Sequence, residues 1–173
     1  MDELSIIQAI ESAFPLQPIP EMSLHQAHLS DNSLTRVITR NEWDAAGLLD
    51  SGRSWRCFSD DELMSCDTAL SHFDEPSFIY HLPAFLLFAI RHHKVESSDP
   101  AWPLVCSTLF SVSHRSPYSL NRYALLSPEQ RNAVISFLEF IAIRGGNNAD
   151  HARKALDRYW KADDALRALV GSK

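Results

Sequence analysis

The sequence predicts an all-α protein: one compact helical domain over residues 1–173, built from about six to eight helices, with a proline-rich N-terminal tether. Three observations carry this prediction. Complete helix-start signatures occur at Ser59-Asp60-Asp61-Glu62 and at Ser127-Pro128-Glu129-Gln130, where a hydroxyl accepts from the N–H three residues on and a Glu or Gln answers it. Apolar residues recur at helical spacing after both starts, whereas strand-like alternation is seldom sustained beyond a few residues. The chain is also long enough at 173 residues: a domain near this size buries roughly 70% of its unfolded surface, so folding requires neither metal nor disulfide.

Near the N-terminus, Ile6, Ile7, Ile10 and Phe14 share one face of a helix from Asp2 to Phe14, with Glu3 and Glu11 opposite. Pro15 ends it. Pro18 and Pro20 keep the next stretch extended, because each proline fixes its own φ and pushes its predecessor out of the helical region. Short helices are expected around Glu21–Leu29 and Arg40–Leu49, with Asp50-Ser51-Gly52 as a turn; Thr35 to Thr39 fits a short strand equally well. The signature at Ser59 opens a helix to about His72, and Asp74-Glu75-Pro76 opens another with Asp74 as its cap. Pro83 predicts a kink or a fresh start, and Ala84 to Ile90 is apolar on every side, the mark of a helix buried all round and the expected centre of the core. Asp99-Pro100 leads into a helix through Leu104 to Val112, with strand as the alternative, and Pro117 to Ala124 reads as a connection. Beyond Ser127 the stripe Val134, Phe137, Leu138 and Ile141 packs inward until Gly145-Gly146 stops the helix in a left-handed cap. A last helix from Ala149 to about Val170 turns Ala152, Ala155, Leu156, Tyr159, Leu166 and Val170 to one side.

Charge divides the chain. Residues 1–75 hold four basic side chains against fourteen acidic ones, whereas residues 76–173 hold twelve basic against eight acidic. An acidic first half repels phosphate, and no basic stripe with interleaved aromatics appears, which argues against nucleic-acid binding. The longest apolar run, Leu82 to Ile90, is half of the roughly 18 residues a membrane span requires. The opening Met1-Asp2-Glu3 lacks a basic leader and apolar run, so the expected location is the cytoplasm. Cys57, Cys66 and Cys106 are an odd number without C-x-x-C spacing, as expected of reduced, buried thiols.

Three segments are similar to a known pattern. Phe78-Ile79-Tyr80-His81-Leu82-Pro83-Ala84-Phe85-Leu86, then Tyr123-Ala124-Leu125-Leu126-Ser127-Pro128-Glu129-Gln130, then Ala155-Leu156-Asp157-Arg158-Tyr159-Trp160 resemble an uncharacterised family of small bacterial proteins, a domain of unknown function. The resemblance covers about residues 73–160. It implies a helical fold and a bacterial source, and it implies no activity.

Candidate chemistry is sparse. Glu21, His25 and His28 could share a helical face as metal ligands, yet they lack the Glu of an H-E-x-x-H pattern, so no metal is expected. His92 and His93 suit the C-terminal end of a helix, and His81 reads as a core imidazole with a hydrogen-bond partner. No nucleophile elbow, S-x-x-K or phosphate-cradling glycine loop is present, so neither a catalytic residue nor a cofactor is assigned. The four tryptophans are spread widely and read as packing residues. The function expected from these features is a non-enzymatic protein-binding module, of the immunity or antitoxin kind, whose acidic half meets a partner with a basic surface. Asp60, Asp61 and Glu62 are the candidate partner face; a solvated helix-capping turn is their structural alternative. The alternative functions are an enzyme with an unrecognised helical site and a housekeeping or regulatory adaptor.

Overall fold

A computed structural model describes residues 2–162. Among them are ten α-helices and no strand: α1 (Glu3–Ala13), α2 (Leu24–Asp31), α3 (Arg40–Leu49), α4 (Asp60–Ser65), α5 (Ala69–His72), α6 (Glu75–Arg91), α7 (Trp102–Ser113), α8 (Pro117–Ala124), α9 (Pro128–Arg144) and α10 (Ala149–Ala155). A π-helical turn, Leu156–Trp160, continues α10.

The centre is α6. From Ser77 to Ile90 every residue except Ile79 is buried. α1 and α7 lie against it, α9 packs on both α1 and α6, and α10 bridges α7 and α9. α2 packs on α5 and carries α3, forming a smaller group to one side. One apolar cluster connects Ile6, in the first helix, with Trp160, in the last turn.

The expected helix count of six to eight is exceeded for two local reasons. The helix expected over residues 60–72 breaks at Cys66, whose φ of −114° and ψ of 36° leave the helical region. The Ser107 hydroxyl of α7 then donates to the Asp67 carbonyl at 3.0 Å, which gives that carbonyl a partner outside any helix. Residues 117–124, expected as a connection, form α8, started by Ser116 as cap and Pro117 in the first turn. The possible strand at Thr35 to Thr39 is absent; Thr39 instead caps α3, its hydroxyl and Glu42 closing a capping box.

Pro83 does not interrupt α6, which runs in one piece from Glu75 to Arg91. A proline inside a helix costs about 3 kcal/mol. Here that cost is offset by Leu82, Phe85, Leu86, Phe88 and Ile90, all fully buried around it, each contributing roughly 1.5–3 kcal/mol. The left-handed conformation falls on Gly146, with φ of +52°, and not on Gly145, which caps α9 at φ of −80°. Leu166 and Val170, expected to extend the last helix, lie outside the described residues.

The proline segment is fastened to the core. Ile6, Ile10 and Phe14 bury α1, after which Trp55 Nε1 donates to the Pro15 carbonyl at 3.2 Å and the Tyr80 hydroxyl donates to the Leu16 carbonyl at 3.0 Å. The Gln17–Pro18 peptide is cis. Residues 15–20 are thus a strap across α6 where the sequence suggests a tether.

Side chains from elsewhere finish the helix ends. The Tyr123 hydroxyl reaches the carbonyls of Ser111 and His114 at 2.8 and 3.0 Å, and Trp160 Nε1 donates to Val112 O at 2.6 Å, so α7's last carbonyls are satisfied from α8 and the π turn. Arg122 is buried between the Tyr118 and Phe78 rings and donates to the carbonyls of Leu70 and Phe73 where α5 ends. Its burial lowers its pKa, and no carboxylate among the described residues pairs with it.

Leu86→Ala and Phe137→Ala should each lower unfolding free energy by about 2–5 kcal/mol, because both side chains are fully buried. Leu48→Ala, at a position 74% exposed, should change it by less than about 0.5 kcal/mol. Denaturant midpoints of the three variants against the parent chain check this ordering.

Candidate functional site

The candidate face lies on the first turn of α4, where its three carboxylates differ in surroundings. The Ser59 hydroxyl accepts from the Glu62 N–H, and the Glu62 carboxylate accepts from the Ser59 N–H at 2.9 Å, as the sequence signature requires. The same carboxylate takes both terminal nitrogens of Arg53, at 2.6 and 3.0 Å. Arg53 foremost, then the Ser59 backbone, hold its pKa down to about 2. Asp60 accepts from Arg91 and from His92 Nε2, the latter at 2.8 Å. Partial burial raises its proton affinity, but Arg91 and His92 together outweigh burial and leave its pKa below the ordinary value. Asp61 is exposed and makes no ion pair among the described residues.

This pairing joins two helix ends. The acidic N-terminus of α4 abuts the basic C-terminus of α6, so each helix dipole is met by charges of the favourable sign. His92 stacks on Phe88 with ring centres 4.3 Å apart, and His93 Nδ1 donates to the Ile90 carbonyl at 2.7 Å, completing the end of α6.

His25 and His28, which helical spacing could have brought together, separate. His25 Nδ1 and its backbone N–H both donate to buried Asp50, at 2.8 and 2.9 Å, whereas His28 Nδ1 meets the Thr68 hydroxyl at 3.1 Å. No group of three or more His, Cys, Asp or Glu side chains suited to a metal ion occurs among the described residues. All three thiols are free, but only Cys66 is buried; Cys57 is exposed and Cys106 half-buried, because Cys57 closes a surface turn after Trp55. Burial pushes Cys66 up to about 11, while the Ser54 hydroxyl and backbone lower Cys57.

His81 is in the core as expected, without the partner expected. Its ring stacks on Phe73 at 4.6 Å, meets Tyr80 edge-on at 5.0 Å, and neither nitrogen has a hydrogen bond. Burial lowers its pKa to about 4, against the opposing pull of the Asp50 charge, a Met22 backbone group and Asp74.

Sequence reasoning overlooked the apolar surface around α3. Leu34, Val37, Leu48 and Leu49 are 79%, 88%, 74% and 58% exposed, and Ala46 is the only residue of α3 that is buried.

A family model matches residues 2–164, which include every described residue. The chain belongs to the DUF6714 family, a family of unknown function. The family match therefore includes α1 to α5 as well as the segments from which the resemblance was drawn. No curated protein and no solved structure matches the chain. Within this family member, the quoted segments supply core and helix-end residues: Leu82, Phe85 and Leu86 in α6, and the ring cluster of Tyr123, Tyr159 and Trp160 with centres 5.0–5.2 Å apart. No helix among the described residues is long and apolar enough to cross a membrane.

The buried imidazole makes stability depend on pH. An ordinary His takes up a proton near 6.5, whereas folded His81 stays neutral to about 4. Between those values the unfolded chain binds the extra proton, so stability should fall as pH drops from 6.5 to 4, by about 1.4 kcal/mol per pH unit for this one group. His81→Phe keeps the ring stack and should flatten that part of the curve, as measured by unfolding free energy against pH for the two proteins.

Proposed function

We propose that the chain is a non-enzymatic protein-binding module, of the immunity or antitoxin kind, whose acidic N-terminal half docks a partner with a basic surface. One observation carries this reading: the half with fourteen acidic and four basic side chains also exposes Leu34, Val37, Leu48 and Leu49, on α3 and the segment leading into it. Large apolar groups left in water within a strongly charged region suit a docking surface, the apolar part supplying affinity and the charge guiding encounter. Arg36, Arg40, Arg53 and Arg56, the basic residues of this half, each have an acidic partner within the chain, so its excess charge remains negative. Among Asp60, Asp61 and Glu62, Asp61 is the one free to meet a partner, the other two being held by Arg91, His92 and Arg53. A bacterial source, which the family resemblance implies, and action in the cytoplasm are part of the same proposal.

Association kinetics with a partner recovered from native extract provide the test. Association should slow as salt rises, because exposed charges are screened over about 8–10 Å at physiological ionic strength. Asp61→Lys should slow it further without disturbing the paired acids, and Leu48→Asp with Leu49→Asp should speed dissociation. Rates indifferent to salt and to all three substitutions would overturn the proposal.

A further inference from the structure

A recess lies in the basic half. His151, Lys154, Ala155 and Arg158 follow one another at helical spacing along α10 and the π turn, and with Ser113 at the end of α7 they line a recess of about 310 Å³. The Ser113 hydroxyl donates to the Leu109 carbonyl at 2.7 Å and lies 2.5 Å from His151 Nε2, so it accepts from Nε2–H and fixes the imidazole. Burial and the charge of Lys154 both lower the proton affinity of that ring.

No carboxylate among the described residues belongs to the lining. The neighbouring cations Arg153 and Lys161 pair with Asp150 and Glu139, but Lys154 and Arg158 make no ion pair among the described residues. Two permanent cations therefore face one recess without a counter-charge among the described residues, beside an alanine that leaves room for approach. The geometry points to a binding site for the phosphate group of a small phosphomonoester. A phosphate dianion matches two cations, and its oxygens can accept from the Lys154 ammonium and the Arg158 guanidinium together, whereas a carboxylate is satisfied by a single guanidinium fork. The recess is also at the small end of the roughly 300–1,000 Å³ typical of small-molecule sites.

Titration of the full chain with inorganic phosphate, phenyl phosphate and acetate, at ionic strength matched with sodium chloride and followed by amide NMR, tests the assignment. Both phosphates should give saturable shifts centred on Ser113, His151 and Lys154. The double variant Lys154→Gln, Arg158→Gln should weaken binding about tenfold or more, as expected on losing charge-assisted hydrogen bonds, with its helical circular dichroism unchanged. Lys94→Gln, on a distant surface loop, should leave binding as it was. Shifts no larger than those of matched chloride, unchanged affinity in the double variant, or acetate bound as tightly as phosphate would overturn the proposal. Binding of inorganic phosphate without phenyl phosphate would overturn the phosphomonoester assignment.

Discussion

A helix without a polar face has to be covered on every side, and α6 imposes that requirement on the rest of the chain. Its residues from Ser77 to Ile90 are buried almost without a break, so a single partner helix, which shields one stripe, cannot satisfy it. α1, α7, α8 and α9 all approach it, and the strap at residues 15–20 runs along a further flank near Tyr80. The same requirement explains why Pro83 is accommodated. Breaking the helix there would expose two apolar ends, which costs more than the hydrogen bond that the proline removes.

Once so many short helices are gathered round one long one, their ends become the next difficulty, because each end leaves carbonyls or N–H groups without helical partners. N-termini are finished locally by Ser23, Thr39, Ser59 and Ser127, each in a complete capping box. Several C-termini are finished from far along the chain by Arg122, Tyr123 and Trp160. This asymmetry decides what could be read from sequence. The starts of α4 and α9 and the boundaries of α1 were legible, because cap, proline and stripe lie within a few residues of one another, whereas Thr39, the cap of α3, fitted a short strand equally well. The break between α4 and α5 was not legible, since the carbonyl at the break, that of Asp67, finds its partner in a Ser107 hydroxyl forty residues away. α8 was legible and overlooked, for Ser116-Pro117 repeats the pattern of Ser127-Pro128.

The functional surfaces were less legible than the fold for a related reason. The acidic trio at residues 60–62 is plain in the sequence, but its partners Arg53, Arg91 and His92 are not adjacent to it, so the neutralisation of Asp60 and Glu62 emerges only in three dimensions. His81 shows the same limit from the other direction: a histidine in an apolar run predicts burial, while the lack of a hydrogen-bond partner depends on Phe73 and Tyr80 filling the space around its ring. The recess beside Ser113 joins residues from two helices that no single motif connects.

The strap is gripped in a way that bears on how the chain can vary. Trp55 and Tyr80 hold the carbonyls of Pro15 and Leu16, and every amino acid supplies a carbonyl. The path of the segment is thus fixed by its holders, while the side chains at residues 15 and 16, both exposed, are open to drift. Relatives that diverge at those two positions can keep the same N-terminal crossing as long as the indole and the phenol remain.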